Sequence, residues 1–559
     1  MARVTGSHLI CKALKLEGVK NIFALAGDHI LPVLDVMADQ DFRILDTRHE
    51  QAAVHMADAW SRITEQPGVC MYTTPGFANA IPGLTNAMHT EAPVISIAGC
   101  ADTHDLGCGA QQEINQVGMA EPMCKGSFMV PDARRIPEYI ARAMRLAFSG
   151  RRGPVHLTIP IDVQEQSVEE NDVTLIAPDG YRPKGAALGD PKRVRQAVAL
   201  LRQAQRPLLI AGSAAGYTLS GESMQRFIET TRLPIVTEEQ SRGLVPDDHP
   251  YVFGYFERGL NRAAAKVRDA DVVVLLGRKQ DYVIGFCRPP HVAANAKIIQ
   301  IDPSPLEIGR NRGADVGMAG DVASILEQMA DEAAQYEWKD LPWLDDLRAA
   351  RAAQAEWAEK LAQPKTPMHA LFVHKTLKSM LRPDDCLVFD GGDFCHFGRS
   401  YLPAVKPKHW FNVSSLGMLG SSLPTALAAK VAYPNSRVFM LTGDGAFGFN
   451  GMEFDTAVRH GLNIVAIVGN DSAWGIDRQI QLGLYGRAVA TDLRQSRYEQ
   501  IVQGLGGYGE FVERPEDLKP ALERALAAGK PALLNVVVER AISPRAEAAI
   551  GRRKAAAPK

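Results

Sequence analysis

Short runs of apolar residues alternate with amphipathic helical patterns along the whole chain. The runs consist mainly of Val, Ile and Leu, and clear examples lie at 155–159, 207–211, 272–276, 438–441 and 464–468. Continuous apolar runs of this length are typical of parallel strands that are buried on both faces of a sheet. Because helical patterns separate the runs, the sequence predicts an α/β fold with doubly wound parallel sheets.

Two polar stretches divide the chain into blocks of similar size. One covers residues 166–190 and contains Pro and Gly, and the other covers 335–366 and has the pattern of an exposed Ala-rich helix. At about 150 residues per domain, 559 residues predict three or four domains. We therefore predict three domains and a C-terminal tail, at 1–165, 190–335, 366–540 and 541–559.

Composition excludes several kinds of partner. Hydrophobic residues make up 46% and charged residues 23% of the chain, as is ordinary for a folded protein. Lys and Arg number 62 against 64 Asp and Glu, so the formal charge of -2 gives no basis for nucleic acid or a membrane as partner. The chain has no apolar run of the ~20 residues that a membrane span needs. The N-terminus lacks a signal-peptide pattern and the eight cysteines form no Cys-x-x-Cys pair, so we expect a cytoplasmic protein.

One pair of motifs points to a metal and a diphosphate. Gly443-Asp444-Gly445 follows one buried run, and Asn470-Asp471 follows the next run, 24 residues after the first motif. Adjacent parallel strands bring their carboxyl ends to one edge of a sheet, where such sheets bind ligands. Asp444, Asp471 and the Ala473 carbonyl would offer the oxygen ligands that Mg²⁺ prefers, and the glycines would let backbone amides approach a diphosphate. Gly-Asp-Gly alone is equally compatible with a tight turn.

This spacing resembles the thiamine-diphosphate (ThDP) enzyme superfamily, in which Gly-Asp-Gly is followed at a similar distance by Asn-Asn. Asp471 stands where the family usually has its metal-binding Asn, which keeps an oxygen ligand and adds a negative charge. The resemblance covers almost the whole chain. It implies pyrimidine-binding, middle and diphosphate-binding domains in that order, with ThDP and Mg²⁺ as cofactors.

A second motif, Arg48-His49-Glu50, resembles the family segment that contains the catalytic glutamate. The resemblance implies that Glu50 bonds to N1′ of the aminopyrimidine and promotes the tautomer whose 4′-nitrogen removes the C2 proton. A glutamate at a helix start otherwise pairs with the helix dipole.

Residues 415–420 resemble the segment that holds the bent cofactor, with Gly417 offering its carbonyl and Leu419 lying beneath the bend; a Gly-rich helix start is the alternative. The further cofactor-binding candidates are Gly391, Gly392, Asp393, Ala446, Trp474, Gly475 and Ile476.

The family also implies an oligomer and a set of substrate-facing residues. Because the glutamate and the metal site come from different subunits, a homodimer or homotetramer is expected. Asp28 and His29 match positions of pyruvate decarboxylases and benzaldehyde lyase, and an Asp beside a His suits proton transfer near neutral pH; a solvated loop tip is the alternative. Gln111 and Gln112 match substrate-facing glutamines of benzaldehyde lyase and of the acyl-CoA lyases.

These resemblances imply a carbon–carbon lyase or carboligase acting on 2-hydroxy carbonyl compounds or aldehydes, similar to benzaldehyde lyase or 2-hydroxyacyl-CoA lyase. Residues 390–399 resemble the oxalyl-CoA decarboxylase group, so an acyl-CoA substrate is conceivable. The predicted substrate pocket contains Ile476, Ile480 and Cys395. Ile480 stands where acetolactate synthase has Trp, which weakens the alternative of an acetolactate-synthase-like enzyme. A non-catalytic regulatory relative is a third hypothesis, and the intact Glu50 argues against it.

The middle block could hold FAD or ADP, as it does in relatives. Residues 212–216 and 301–303 follow two apolar runs, but the block at 190–335 contains no Gly-x-Gly-x-x-Gly motif. A purely structural middle domain is the favoured interpretation.

Overall fold

The computed structural model describes residues 3–182 and 186–556, which fold into two compact units. The first unit contains 3–182 together with 414–435 and 450–462. The second contains 186–413, 436–449 and 463–556. Among the described residues, no helix combines the length and the apolar character that crossing a bilayer requires.

The first unit is built around a six-stranded parallel sheet. The described part of the unit contains eight strands, of which six form this sheet: β1 (Arg3–Thr5), β2 (Asn21–Ala24), β3 (Arg43–Asp46), β4 (Gly68–Tyr72), β5 (Val94–Cys100), β6 (Ser127–Met129), β7 (Val155–Pro160) and β8 (Ser167–Glu169). Its helices are α1 (Gly6–Leu16), α2 (Leu31–Ala38), α3 (Glu50–Thr64), α4 (Thr74–Thr90), α5 (Gln116–Ala120), α6 (Ile136–Phe148) and α7 (Ile161–Glu165). The sheet order is β3-β2-β4-β5-β7-β6, and β1 pairs with β8 in a separate antiparallel ribbon.

The middle domain, in the second unit, has another six-stranded parallel sheet. Its strands are β9 (Pro207–Ala211), β10 (Ile235–Thr237), β11 (Val252–Tyr255), β12 (Val272–Leu276), β13 (Lys297–Asp302) and β14 (Val316–Ala319), in the order β11-β10-β9-β12-β13-β14. Its helices are α8 (Pro191–Gln203), α9 (Ser213–Tyr217), α10 (Gly221–Thr231), α11 (Arg262–Ala265) and α12 (Val322–Ala333). The polar stretch at 335–366 contains α13 (Trp343–Leu361), whose buried Trp343, Leu344 and Leu347 pack on this domain.

The third sheet also lies in the second unit. Its strands are β15 (Cys386–Phe389), β16 (Trp410–Phe411), β17 (Val438–Gly443), β18 (Val465–Asn470), β19 (Tyr508–Val512) and β20 (Ala532–Val537), in the order β16-β15-β17-β18-β20-β19. The helices of this part of the chain are α14 (Ala370–Lys378), α15 (Asp393–Tyr401), α16 (Ser422–Ala432), α17 (Asp444–Asn450), α18 (Glu453–Arg459), α19 (Gly475–Tyr485), α20 (Tyr498–Gly504), α21 (Pro515–Ala527) and α22 (Pro544–Ala556). Two of them, α16 and α18, belong to the first unit, where α16 packs against α3.

The predicted α/β class with parallel sheets is confirmed. Each of the five apolar runs forms a strand, and in β12 all five residues are buried. Val-rich strands buried on both faces are the physical reason, because helices cover a parallel sheet on each side. The residues after 540, expected only as a tail, include α22.

Candidate functional site

In the second unit, a buried carboxylate, Asp444, and a half-buried one, Asp471, meet at the carboxyl edge of the third sheet. β17 and β18 are parallel neighbours, with Gly443 opposite Gly469, so Asp444 and Asp471 follow adjacent strand ends. Asp444 is only 2% exposed, and its Oδ2 has no hydrogen-bond partner among the described residues. A buried, unpartnered carboxylate oxygen is costly unless a cation binds it.

The electrostatics of this pair suit a divalent cation. Burial raises the pKa of Asp444 to about 6. Burial, followed by repulsion from Asp444, raises the pKa of Asp471 to about 7. The backbone amide of Ala473 bonds to both carboxylates and partly offsets these shifts. A hard cation with oxygen ligands would remove the repulsion, so the residues present fit Mg²⁺.

Glycines around the pair serve two different purposes. A Cβ at Gly475 would lie 2.5 Å from Asp471 Oδ2, and one at Gly445 would lie 2.7 Å from the Trp474 ring. These two glycines therefore allow the loop after β18 to pack on the start of α17. A Cβ at Gly443 would meet no atom within 4 Å, so this backbone borders open space that a diphosphate could use.

The loop after β18 is held in place by arginine. Arg540 donates from Nε to the Asp471 carbonyl and from Nη2 to the Ser472 carbonyl, both at 2.9 Å. Ser472 adopts the left-handed φ of 56°. Arg540 also lowers the pKa of Asp471. Sequence analysis missed Arg540, which has no motif and lies 69 residues away in the chain.

The segment that begins α15 borders the same edge. Gly392 has φ of +90° and open space at its Cβ position. The side chain of Asp393 is buried, its Oδ1 accepts a bond from the Ser543 amide at 3.3 Å, and its Oδ2 is unpartnered. Burial raises the pKa of Asp393 to about 6, and its charge raises the pKa of Asp471 further. Asp393 is therefore close enough to influence the metal candidates. Gly391 donates its amide to Asp390.

Three further candidates of this unit lie in different environments. Cys395 is fully buried, and its Sγ donates to the Leu441 carbonyl at 3.1 Å. The side chain belongs to the hydrophobic core, and its place in a substrate pocket stays a prediction. Ile476 and Ile480 are half-buried on α19, a helix that has no fully buried residue. Ala446 is buried in α17.

In the first unit, Glu50 begins α3 and is 7% exposed. Asn79 Nδ2 donates to Glu50 Oε2 at 3.1 Å. A Cβ at Gly76 would lie 2.7 Å from Glu50 Oε1, so only glycine allows this approach of α4. The preceding turn is anchored by the buried Glu453, which accepts the Arg48 amide on both oxygens at 3.1 Å. Sequence analysis missed both Asn79 and Glu453.

His29 is buried, which excludes the solvated loop tip for this residue, whereas Asp28 is exposed. Thr73 Oγ1 lies 2.8 Å from His29 Nδ1, and Thr74 Oγ1 lies 3.4 Å from it. Burial lowers the pKa of His29, against smaller opposing effects of Asp28 and Asp102. An ordinary histidine pKa, as the sequence suggested, is therefore wrong for this position.

A continuous chain of buried hydrogen bonds leads to His29. We call it the His29 chain, and it consists of Tyr72, Ser96, His156, Thr158, Gln116, Thr74 and His29. Gln116 is its central member: Oε1 accepts from Thr158 at 3.0 Å and Nε2 donates to Thr74 at 2.9 Å. Burial lowers the pKa of His156 to about 3, so its ring is neutral at neutral pH.

The glutamines predicted from sequence, Gln111 and Gln112, are not members of the His29 chain. Gln111 and Gln112 are exposed in a turn, and Gln112 has a positive φ of 59°. Glu113 accepts the amides of Gly107, Gly109 and Ala110 and closes this turn. The buried Gln116 was not singled out, because a glutamine five residues further on has no distinguishing sequence signal.

The predicted cofactor-bending segment also lies in the first unit. Gly417 has φ of +73°, open space at its Cβ position and an amide that donates to the Ser414 carbonyl. Ser414 donates to Asn86 Oδ1 at 2.9 Å and so ties the turn to α4. Leu419 is half-buried beside it.

The strand ends of the middle domain are filled by the protein itself. A Cβ at Gly212 would lie 2.7 Å from Arg278, and one at Gly216 would lie 2.5 Å from Gln240. Arg278 is buried and paired with Glu238 and Asp281. These two glycines therefore allow the chain to pack closely on itself at both positions.

Comparisons with known proteins agree with this architecture. The description "Thiamine pyrophosphate enzyme" matches in three parts: the N-terminal TPP binding domain at 4–119, the central domain at 194–329 and the C-terminal TPP binding domain at 390–536. Thiamine pyrophosphate is another name for ThDP.

Several relatives are similar over nearly the full length. An acetolactate synthase large subunit of Mycobacterium tuberculosis is 32% identical over 544 residues, covering 96% of each chain. 2-Hydroxyacyl-CoA lyase 1 of Mus musculus is 31% identical over 96% of this chain and 94% of the relative. Oxalyl-CoA decarboxylase of Escherichia coli is 31% identical over 96% of this chain and 95% of the relative. The non-catalytic alternative is therefore not retained, and the chain belongs to the thiamine pyrophosphate enzyme family as a ThDP-dependent enzyme.

Proposed function

We propose that this enzyme is a Mg²⁺-dependent carbon–carbon lyase or carboligase that acts on 2-hydroxy carbonyl compounds or aldehydes. The observation that carries the proposal is the carboxylate pair at a sheet edge bordered by open glycine backbone: Asp444 is buried with one oxygen that has no hydrogen-bond partner among the described residues, and Asp471 beside it is half-buried. The relatives include a lyase, a decarboxylase and a synthase at similar identity, so the reaction within this class rests on the site residues.

Asp444 and Asp471 would hold the metal ion, with Ala473 as the third predicted ligand. Gly443 and Gly392 would allow backbone amides to approach the diphosphate of ThDP, because open space lies beside both. When bound, ThDP supplies a nucleophilic carbon that adds to carbonyl groups. The buried Asp393 would add negative charge beside the metal ligands.

Glu50 would bond to the aminopyrimidine ring of ThDP through a carboxylate that Asn79 orients. His29 would move a proton at the substrate, because its lowered pKa favours the neutral ring, which has a nitrogen lone pair free to accept a proton. Thr73 holds the Nδ1 side of this ring, which leaves Nε2 for the substrate. Asp28, Gln111 and Gln112 are kept as substrate-facing candidates, since they are exposed on the same unit.

α19 would supply the apolar wall of the substrate site through Ile476 and Ile480. Both side chains are half-buried, which suits a surface that becomes covered by substrate or by a second chain. An acyl-CoA substrate remains within the proposal, because two relatives are named for acyl-CoA reactions. An acetolactate-synthase-like decarboxylating reaction is the second candidate, because a relative over 96% of the chain is named as such a synthase.

A homodimer or homotetramer is part of the proposal. Apolar side chains near the candidate diphosphate edge are exposed in the single chain: Phe449 is 56% and Tyr485 is 69% exposed. A second copy would bury them. Light scattering of the purified protein would measure the oligomeric state, and a monomer that is fully active would contradict this part.

We also infer a structural role for the middle domain and a cytoplasmic location. The filled glycine positions support the former, and the eight free cysteines, seven of them buried, support the latter. An FAD absorbance spectrum or ADP released on denaturation of the purified protein would overturn the structural role.

A panel assay tests the reaction directly. Purified protein with ThDP and Mg²⁺ is given benzoin, pyruvate, or formyl-CoA with an aldehyde. Cleavage of benzoin or ligation of formyl-CoA supports the lyase or carboligase, whereas turnover of pyruvate alone favours the acetolactate-synthase-like candidate.

A further inference from the structure

A cavity of about 260 Å³ lies within the second unit, away from the carboxyl edge of the third sheet. It is bordered by β11 of the middle domain, by α13 and by the end of α15. The residue that distinguishes it is Arg399, in the last turn of α15. We call it the Arg399 cavity.

Arg399 is a buried cation without a hydrogen-bond or ion-pair partner among the described residues. Its side chain is 3% exposed, and its Nε is completely buried without a hydrogen bond. Within 3–182 and 186–556, no acceptor forms a hydrogen bond or an ion pair with its guanidinium group. A buried guanidinium is expected to be paired, because removing its charge from water is costly. The C-terminal end of α15 offsets only a part of this cost.

The carboxylates that line the cavity are already committed to other groups. Asp247 forms a two-pronged pair with Arg242 at 2.8 and 2.5 Å and also accepts the Ala404 amide. Glu359 accepts from Lys375 at 2.5 Å and from the Tyr401 hydroxyl at 2.7 Å. Neither carboxylate is therefore available to neutralise Arg399.

The lining as a whole is cationic. Four cationic side chains (Arg242, Arg351, Lys378 and Arg399) face two carboxylates (Asp247 and Glu359), which gives a formal excess of two positive charges. The lining also contains apolar and aromatic side chains, among them Phe253, Tyr255 and Leu402. Arg351 lies over the Phe253 ring and Arg242 over the Tyr255 ring. Gln354 also lines the cavity, and its amide makes no hydrogen bond to another described residue.

We propose that the Arg399 cavity binds a small oxyanion, a carboxylate or a phosphate that carries a short apolar body. A guanidinium fork pairs with two oxygens of either group, and the apolar and aromatic side chains of the lining would cover the apolar part. The volume is below the roughly 300–1,000 Å³ of ordinary ligand pockets, so a compact metabolite fits better than a dinucleotide. The site is separate from the candidate diphosphate edge, because Asp393 and Arg399 lie six residues, or about 9 Å, apart along α15.

Calorimetry of the full chain saturated with ThDP and Mg²⁺ tests the proposal, since the cofactor then occupies its own phosphate site. The probes are inorganic phosphate and isobutyrate, titrated at constant ionic strength with chloride as the reference anion. Binding of phosphate alone identifies a phosphate site, and tighter binding of isobutyrate identifies a carboxylate site. Failure of both probes to bind would overturn the proposal.

Three variants show whether Arg399 is responsible. Arg399→Met should weaken binding at least tenfold, and Arg399→Lys should weaken it as well, because lysine keeps the charge and loses the fork. The matched control is Lys360→Met, an exposed lysine of α13 outside the lining, which should change the affinity less than threefold. Without anion, Arg399→Met should have a melting temperature equal to or above that of the unchanged protein. Equal anion affinity in Arg399→Met and the unchanged protein would refute the assignment, and should Arg399→Met not fold, equal affinity in Arg399→Lys would do so.

Discussion

The His29 chain and the Asp444–Asp471 pair differ in whether their polar side chains find hydrogen-bond partners within the protein. In the His29 chain each side chain has a protein partner, so the geometry is complete without any ligand. In the carboxylate pair Asp444 Oδ2 has none among the described residues, and both acids have raised pKa values. The difference separates a region that orients a side chain from one that is completed by a cation.

The largest effect is expected for a substitution in the Asp444–Asp471 pair. Asp444→Ala removes the buried oxygen that lacks a partner, so Mg²⁺-dependent ThDP binding should weaken by more than about 100-fold. The metal-free protein should be no less stable, because an uncompensated buried acid is removed. Calorimetry with ThDP at fixed Mg²⁺ measures the first effect, and retained affinity would show that the metal lies elsewhere.

Glu50→Gln tests the proposed bond to the aminopyrimidine ring of ThDP, at the opposite end of the cofactor from its diphosphate. Its carboxylate is oriented by Asn79, and glutamine keeps the shape while losing the charge. Proton exchange at C2 of bound ThDP should slow by about 10²–10⁴-fold, the usual contribution of an acid–base group. Hydrogen–deuterium exchange followed by NMR gives this rate, with Asn79→Ala as a milder companion. An unchanged exchange rate would remove Glu50 from the mechanism.

His29→Ala tests the end of the His29 chain. The rate constant kcat should fall by about 10²–10⁴-fold while ThDP affinity stays nearly constant. Since burial lowers the pKa of His29, the acidic limb of the pH–rate profile should lie below the range of an ordinary histidine, with activity lost as the pH falls through it. Kinetics over a pH series measure both, and an acidic limb that survives in His29→Ala would assign the proton transfer to another group.

Gln116→Leu breaks the His29 chain at its centre without touching His29. Thr74 and Thr158 would each lose a buried partner, which should cost about 1–3 kcal/mol of stability. We expect kcat to fall less than in His29→Ala and the acidic limb to shift, because Thr74 no longer has a fixed orientation. Gln66→Leu, at an exposed position outside the candidate site, is the control. A stability loss without any shift of the pH limb would mean that Gln116 only supports the fold.

The smallest effect is expected for Asp471→Asn, which makes the carboxylate pair resemble the common family motif. The amide keeps an oxygen ligand. It also removes the repulsion between the charges of Asp444 and Asp471, which raises the pKa of Asp471 in the unchanged protein. Mg²⁺-dependent ThDP binding should change by less than about tenfold, since a ligand atom is retained. Calorimetry alongside Asp444→Ala provides the comparison, and a loss as large as in that variant would show that the charge of Asp471 is required.

The sequence by itself determined the fold class, the strands and the family. The runs at 272–276 and 438–441 are apolar enough to be strands in any α/β context, and the distance from Asp444 to Asp471 follows from one strand–helix–strand unit. Glu50 was recognisable from its neighbours Arg48 and His49. Such signals are local, and local patterns are what a single sequence shows directly.

Only the tertiary structure decided which polar residues are buried and what they contact. Gln116 is buried and Gln111 is exposed, although they lie five residues apart, because α5 brings only the former against β5 and β7. Arg540, Asn79 and Glu453 reach their partners from distant positions in the chain. Arg399 lacks a hydrogen-bond or ion-pair partner among the described residues only because the fold commits Asp247 and Glu359 elsewhere. Pairing and burial depend on contacts between residues far apart in sequence, and no spacing rule along one chain specifies them.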